Sequence, residues 1–307
     1  MNRRILFATD LSTYAGAVLD CLAGLRRAGV RHVLLLHVVD QAMAYIPGTE
    51  GFDIVGQLKA DARKSLEQER RRLEGQGLDV AARLEVGVPA KEIVRVAEEE
   101  DVWLIVVGAY GRTLLQDVLL GSVAERVLHL AKRPVLVERA RVIANLNQVQ
   151  CYRRGEHTFE RVLFATDFSP SASAAQQFVV GLHSAQPEEV IVLHVLDERL
   201  VRGRPPEALQ RLTDEARRQL DSVVAELARL GLNVRGRLER GEPVASIVEI
   251  TENEDAGSVV MGSRGRGVAV ELLLGSTAEG VARRSHRPVV IVPARKATVK
   301  TVRRHSS

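Results

Sequence analysis

The chain is written twice. RILFATD (Arg4 to Asp10) recurs as RVLFATD (Arg161 to Asp167), and LLLHVVD (Leu34 to Asp40) recurs as IVLHVLD (Ile191 to Asp197). GVPAKEIV (Gly87 to Val94) recurs as GEPVASIV (Gly241 to Val248), and LLGSVAE (Leu119 to Glu125) as LLGSTAE (Leu273 to Glu279). The first two pairs lie 157 positions apart and the later two 154, so a net three-residue deletion falls between the second strand and Gly241. Fixed-offset repetition of this kind is the mark of a duplicated structural unit. Any fold proposed for one unit of about 140 residues must therefore be built twice, and 307 residues suffice for two cores.

Within the first unit, short apolar runs alternate with helical patterns. Arg4 to Thr9 reads as a strand, followed by Asp10 and Ser12, which are helix-capping residues. Residues 13–28 read as a helix that stops near Gly29. Val33 to Val39 is a continuous apolar run, as in a strand buried on both faces. A loop with Pro47, Gly48 and Gly51 leads to a charged helix at 53–74, with Leu58, Ala62, Leu66 and Leu73 inward. Val80 to Val86 reads as an outer strand, and Pro89 opens the next helix. Val102 to Val107 is a buried strand. A helix at 122–131 and a strand from Pro134 to Val137 follow. The second unit repeats the order, with strands near 161–166, 190–196, 233–240, 257–262 and 288–292. Alternation of this kind predicts an α/β fold of two tandem open parallel five-stranded sheets with helices on both faces. Residues 1–138 and 160–294 are read as the two domains, 139–159 as a linker in which Val142, Ile143 and Leu146 suit a short helix, and 295–307 as a basic, disordered tail.

Charge and cysteine content exclude several classes. The net charge is +4, but the tail alone contributes Arg295, Lys296, Lys300, Arg303 and Arg304 with no acid, so the body is close to neutral. It lacks the basic face of a nucleic-acid-binding domain, and no nucleic-acid partner is expected. Aromatics are 4% of the chain, so aliphatic side chains must fill the cores. Cys21 and Cys151 have no ligand spacing, which points to neither a zinc site nor a disulfide framework. No apolar run nears the roughly 18 residues that span a membrane, and MNRRILFATD lacks a signal-peptide core. A cytoplasmic location without membrane attachment is the expectation.

The chemistry lies where strands end. The fourth strand of each unit runs into a glycine loop: Gly108, Gly111 and Gly121-Ser122 in the first, Gly262, Gly265 and Gly275-Ser276 in the second, with identical spacing. Ligands of open parallel sheets bind beyond the carboxyl ends of the strands. Glycines let backbone N–H groups approach an anion, and the amides of the helix that follows favour phosphate. Asp10 and Asp167, ending the first strands, suit ribose hydroxyls. The spacing is neither GxxxxGK[ST] nor GxGxxG. A single copy would read as a tight turn as readily as a ligand loop; two copies with matching aspartates favour a nucleotide site.

These motifs resemble the universal stress proteins in their tandem form, over nearly all of residues 3–138 and 160–293, and the G-x2-G-x9-G-[ST] pattern is complete in both units. The resemblance implies a Rossmann-like, adenine nucleotide alpha hydrolase-like fold with four helices per domain. It implies that ATP, with or without Mg²⁺, is bound in the crevice. Ala8, Thr9, Asp10 and Val38 would meet adenine and ribose, and Gly108, Gly111, Gly121, Ser122 and Val123 the phosphates. Ala165, Thr166, Asp167 and Val195, with Gly262, Arg264, Gly265, Gly275, Ser276 and Thr277, would do the same in the second domain. The last strands, Val135 to Val137 and Val289 to Val292, would pair two domains back to back, within the chain or in a homodimer. Ala8 and Ala165 stand where members of the family often have proline. Tyr110 and Thr113 replace Arg264 and Gly267, which favours the second site for phosphate. Tyr110 suits ligand stacking or, more simply, cover for a loop.

Other polar residues have plainer readings. His37 and His194 read as satisfied, partly buried histidines, Asp40 and Asp197 as loop caps, and Ser122 and Ser276 as capping and phosphate-contact residues. Arg70 to Arg72 and Arg217-Arg218 read as solvated faces. The pattern predicts an ATP-binding stress-response regulator that acts through nucleotide-dependent conformation or an unidentified protein partner. The alternatives are a slow ATPase, or an interaction scaffold with vestigial pockets.

Overall fold

The computed structural model describes residues 2–44, 54–110, 120–143, 148–151, 158–265 and 274–294. The loop with Pro47, Gly48 and Gly51, together with Gly111, Arg112, Thr113, Leu146, Arg266, Gly267 and the tail 295–307, lies outside these residues.

The first unit comprises β1 (Arg3–Ala8), α1 (Thr13–Cys21), β2 (Val30–Asp40), α2 (Ile54–Glu74), β3 (Asp79–Gly87), α3 (Pro89–Glu99), β4 (Leu104–Gly108), α4 (Ser122–Leu130) and β5 (Val135–Glu138). A linker hairpin of β6 (Ala140–Ile143) and β7 (Gln148–Cys151) follows. The second unit comprises β8 (Arg161–Ala165), α5 (Pro170–Gly181), β9 (Glu189–Asp197), α6 (Glu198–Val201), α7 (Pro206–Arg229), β10 (Val234–Gly241), α8 (Pro243–Asn253), β11 (Ser258–Gly262), α9 (Ser276–Arg284) and β12 (Val289–Val292).

The strands form one sheet in the order β10-β9-β8-β11-β12-β5-β4-β1-β2-β3. Each half is the expected five-stranded parallel sheet. The halves join where β12 pairs antiparallel with β5, Val290 opposite Leu136. The internal pairing of the last strands is therefore present. In each half the chain first winds outward from β1 through β2 to β3, then returns to the other side of β1 for β4. Helices from the two directions part above the β1–β4 pair, where a crevice opens at the strand ends. Ala8 lies opposite Val107 there, and Ala165 opposite Met261.

Aliphatic side chains fill both faces of the sheet. Ile5, Phe7, Val33 and Leu35 point to one face with Leu19, Leu66 and Leu73; Leu6, Leu34, Leu36 and Val107 point to the other with Ile93, Val96 and Val127. The first of these layers runs without interruption into the second unit through Leu136, Phe159, Phe164 and Val290. Trp103 stacks on Phe178 of the second unit, with centroids 5.1 Å apart and planes at 4°. The Arg3 guanidinium lies 4.1 Å from the Trp103 ring centroid and donates to the carbonyl oxygens of Ala28 and of Gly181 across the joint.

Four local expectations are corrected. Val142 and Ile143 belong to a hairpin and not to a helix, with Val142 opposite Val149; β-branched residues favour the strand. The segment after β1 is α-helical only to Cys21 and tightens to a 3-10 helix over Leu22–Ala28, closed by Gly29 at φ 82°. The second unit adds the short α6, which begins where Asp197 accepts from the Arg199 N–H. Cys21 is disulfide-bonded, against the sequence reading; the chain's other cysteine, Cys151, ends β7, which packs on α1.

Candidate nucleotide sites

The chain makes the same turn at the ends of β1 and β8. The Leu11 N–H donates to Thr9 Oγ1 and the Ser12 N–H to Asp10 Oδ1, each at 3.0 Å. In the second unit Phe168 N–H donates to Thr166 Oγ1 at 3.0 Å and Ser169 N–H to Asp167 Oδ1 at 3.1 Å. The turn holds Leu11 at φ 61° and Phe168 at φ 60°, a left-handed conformation that large apolar residues avoid. Strain kept at matching points in both units, beside the aspartates, is a mark of a functional turn. Ser12 and Ser169 then cap α1 and α5 by accepting from Ala15 N–H and Ala172 N–H.

The histidines buttress this turn. His37 Nδ1 lies 2.8 Å from Thr9 O, and His194 Nδ1 lies 2.7 Å from Thr166 O. A carbonyl can only accept, so Nδ1 carries the proton in both. Asp40 accepts from Ala42 N–H at 2.9 Å, and Asp197 accepts from Arg199, so both serve as loop caps.

The glycine motif closes on itself. Gly121 N–H donates to Ala109 O at 2.7 Å, and Gly275 N–H to Ser263 O at 2.8 Å. These bonds bring the starts of α4 and α9 back to the ends of β4 and β11. The caps of both helices are the glycines, without a side-chain hydrogen bond, and Ser122 and Ser276 are the first helical residues. The capping role expected of the two serines is therefore corrected. Their helices begin with N–H groups that no cap side chain takes up, the arrangement that suits an anion.

In the first unit these parts surround a cavity of about 780 Å³. Ala8, Thr9, Asp10 and Val38 line it from β1 and β2, and Gly108, Gly121, Ser122 and Val123 from the glycine motif. Gly111 is outside the described residues. Tyr110 also lines it, and its ring rests on Tyr14 while its hydroxyl accepts from Arg139 Nη1 at 3.0 Å. In the second unit the loop is drawn onto α5. Ser169 Oγ donates to Arg264 O at 3.1 Å, Ser171 Oγ donates to the same carbonyl, and Arg264 N–H donates back to Ser171 Oγ at 3.2 Å. A side chain at Gly265 would meet Asp167 Oδ2 at 2.9 Å, and one at Gly275 would meet Arg264 Cα at 3.3 Å. Asp167, Arg264, Gly265 and Gly275 are thus neighbours. Ala165 and Thr166 end β8, Val195 lies on β9, Gly262 ends β11, and Thr277 follows Ser276 in α9.

The sequence reading missed the wall contributed by α2. Asp61 and Ser65 line the cavity beside Leu58 and Ala62. Glu69 lies on the same side of the helix, beneath the turn, where Thr9 Oγ1 is 3.3 Å from its Oε1. Its carboxyl is pushed up to about 7, mainly by burial and further by the charge of Asp10, against the Thr9 hydroxyl and Arg72. Glu69 Oε2 is buried without a hydrogen-bond partner among the described residues. The available signal was spacing: 58, 62, 65, 66, 69 and 73 share one helical face, and a polar residue set on an apolar face is more informative than the apolar ones around it. Among the described residues, no helix is long and apolar enough to cross a membrane, and no cluster of three or more His, Cys, Asp or Glu could hold a metal.

Comparison with known proteins agrees with the duplicated architecture. The family model described as the universal stress protein family (Usp) matches residues 1–139 and again 158–293. The universal stress protein MJ0577 of Methanocaldococcus jannaschii is 33% identical over 153 residues, covering 44% of this chain and 94% of that protein. A universal stress protein of Mycolicibacterium smegmatis is 27% identical over 308 residues, covering 95% of this chain and 97% of the relative. The crystal structure of a universal stress protein from Archaeoglobus fulgidus superposes with a TM-score of 0.69 at 27% identity, covering 95% of this chain and 96% of that one. With both units matched and the tandem architecture shared end to end, the chain belongs to the universal stress protein family.

Proposed function

We propose that this protein is an ATP-binding regulator of the stress response, acting through nucleotide-dependent conformation or binding of a protein partner. One observation carries the reading: the first-unit cavity lies where the strand order reverses and is walled by both halves of the sequence motif, the Thr9-Asp10 turn and the Gly121-Ser122 helix start. Asp10 and Asp167 would accept from ribose hydroxyls. Ala8, Val38, Ala165 and Val195 would flank adenine. Thr9 and Thr166 would shape the turns, with main-chain atoms toward the sugar. The amides around Gly108, Gly111, Gly121, Ser122 and Val123, and around Gly262, Gly265, Gly275, Ser276 and Thr277, would take the phosphates, joined in the second unit by the Arg264 guanidinium. Mg²⁺ would arrive on the phosphates and be held chiefly by them and water.

A route from the site to the second unit supports a regulatory role. Tyr110 is in the cavity wall, Arg139 donates to its hydroxyl, and the same guanidinium donates to Ala282 O and Arg283 O at the end of α9. A ligand that moves Tyr110 therefore biases the packing of the second unit. The test is titration calorimetry of ATP with Mg²⁺ against the wild type, Asp10→Ala and Asp167→Ala. Each substitution should weaken one site by at least about tenfold, as loss of a charge-assisted hydrogen bond does. Unchanged isotherms in both variants would contradict the assignment.

A further inference from the structure

We infer that nucleotide binding at the first unit takes up a proton at Glu69, the α2 carboxyl on which the Thr9-Asp10 turn sits. This depends on the nucleotide reading above and adds a regulation of the same site.

Glu69 stands where an apolar residue would serve the fold. Its neighbours on the same helical face, Leu66 and Leu73, are buried in the core. Buried Ala62, Leu66 and Leu73 match buried Ala216, Leu220 and Leu227 of α7, each 154 positions on, which sets Glu69 against Val223. In that unit Val223 packs on the core, and the Thr166-Asp167 turn forms with the same two hydrogen bonds and the same left-handed residue. The turn therefore needs no carboxyl to form, and a buried carboxyl carries a desolvation cost that valine does not.

Two hydrogen bonds in series tie Glu69 to the turn. Leu11 N–H donates to Thr9 Oγ1 at 3.0 Å, which leaves the Thr9 hydroxyl to donate to Glu69 Oε1, 3.3 Å away. Oε2 is buried without a hydrogen-bond partner among the described residues. On the turn, the charge of Asp10 raises the proton affinity of Glu69. Asp40 on β2 and Asp61 on α2 line the same cavity and carry the same sign. On α2, Arg72 acts against them, but it is half exposed and paired with Asp20 of α1. Arg70 is turned to Glu67 and Glu74, and Arg71 to Glu67. On β2, His37 gives its Nδ1 proton to Thr9 O. Burial is the largest influence and, with Asp10, brings the carboxyl up to about 7, so the empty site holds Glu69 partly protonated near neutrality.

A ligand in this site shifts the balance one way. Its bulk keeps water from the turn and its phosphates add negative charge, and both disfavour ionised Glu69. Ribose hydroxyls bonded to Asp10 spread its charge but remove none of it, so the protonated form gains. A carboxyl whose pKa is higher in the bound state draws a proton from solvent on binding, and affinity falls as pH rises through the free and bound values. From about 7 in the empty site, a rise to about 8 on binding means uptake of about half a proton near pH 7.5, and about a fourfold loss of affinity between about pH 7 and pH 8.5.

The experiment is titration calorimetry of the full-length protein with ATP and Mg²⁺ near pH 7.5, in buffers of different ionisation enthalpy, which counts the protons exchanged. The affinity is then followed from about pH 7 to pH 8.5, above the ordinary range of imidazole and phosphate groups. Wild type should take up about half a proton more than Glu69→Gln, and should lose about fourfold in affinity where that variant stays level. Val223 holds this position in the second unit, so the difference between the two proteins reports the first site. Glutamine keeps an oxygen for the Thr9 hydroxyl and cannot ionise, so a merely structural Glu69 would leave the proton count unchanged. Arg72→Gln, a surface change, removes the cation that acts on Glu69 and should move the fall in affinity to higher pH. Equal proton counts in wild type and Glu69→Gln, or a pH profile that Arg72→Gln leaves in place, would overturn the proposal. Should Glu69→Gln not fold, the Arg72→Gln profile decides alone. If ATP does not bind the wild type at all, the nucleotide reading falls and takes this one with it, an outcome distinct from binding without proton uptake.

Discussion

Tyr14 and Tyr110 meet edge to face, with ring centroids 5.2 Å apart and planes at 78°, at the positions where the second unit has Ser171 and Arg264. The substitution converts a hydrogen-bonded latch into an aromatic one. Ser171 holds its loop through the Arg264 backbone, whereas Tyr14 holds Tyr110 by ring contact and turns its hydroxyl to the linker, accepting from Ala140 N–H at 3.0 Å. Tyr14→Phe keeps the ring and leaves that buried N–H without its partner. Such a loss costs about 1–3 kcal/mol. The expected result is a lowered denaturation midpoint with faster hydrogen exchange at Ala140, and unchanged exchange there would contradict it.

Arg139 joins the two units from within. It is 5% exposed and reaches Tyr110 as well as the last carbonyls of α9. A cation at a helix C-terminus is favoured by the exposed carbonyls and the dipole. Arg139→Met retains bulk and removes these bonds, at a cost of roughly 2–4 kcal/mol. Trp103, the single tryptophan, sits at the joint on Phe178. Its fluorescence in a denaturant titration should show the joint opening earlier in the variant. A curve superposing on the wild type would remove Arg139 from the interface account.

Glu138 gives stability a pH dependence. Its carboxyl is 2% exposed and is pushed up to about 8 by burial, against the Arg139 N–H that lies 3.3 Å away. A carboxyl with a folded pKa above its unfolded value near 4.3 binds its proton more tightly when folded. Its contribution to stability is therefore fully present below about pH 4 and lost as pH rises to about 8. Glu138→Gln removes that loss, so the variant should gain on the wild type by a few kcal/mol between about pH 5 and pH 8, an order-of-magnitude figure. Equal slopes of stability against pH over that window would rule the effect out.

Gly262 tests the close packing of the second glycine motif. A Cβ there would lie 2.6 Å from the Ser171 carbonyl carbon and 2.7 Å from Ala172 N, both backbone atoms that cannot swing aside. At Gly108 the nearest atom is on the Tyr14 ring, at 3.1 Å. Gly262→Ala should therefore destabilise by about 1–3 kcal/mol and more than Gly108→Ala does. Thermal unfolding of the two variants compares them directly, and the reverse order would contradict the packing described here.

The fold was largely legible because the repeat doubled every signal. Continuous runs such as Val33 to Val39 suited strands buried on both faces, and Gly29 and Pro89 marked helix boundaries. The internal pairing of Val135 to Val137 with Val289 to Val292 came from the family resemblance, since nothing in a strand's own sequence names its neighbour. The linker misled because Val142 and Ile143 are too few to show a period. The pairing state of Cys21 was not readable, since a disulfide depends on distance in space and carries no local spacing. At the site, the Thr-Asp turns and glycine spacings could be read residue by residue. The α2 wall was only half legible: Leu58, Ala62, Leu66 and Leu73 marked the helical face, but that Asp61 lines the cavity and Glu69 meets Thr9 follows from tertiary packing. The relative weight of the two sites is also more open than Arg264 suggested, because the described residues of the first unit enclose a cavity of about 780 Å³, whereas the Arg264 backbone is bonded to Ser169 and Ser171.

The most direct test of nucleotide binding is to purify the protein without added nucleotide, denature it, and quantify what it releases by chromatography. The account predicts adenine nucleotide at about one to two per chain, with any shortfall restored by incubation with ATP and Mg²⁺ before denaturation. Protein that releases none, and takes up none when ATP and Mg²⁺ are supplied, would contradict it.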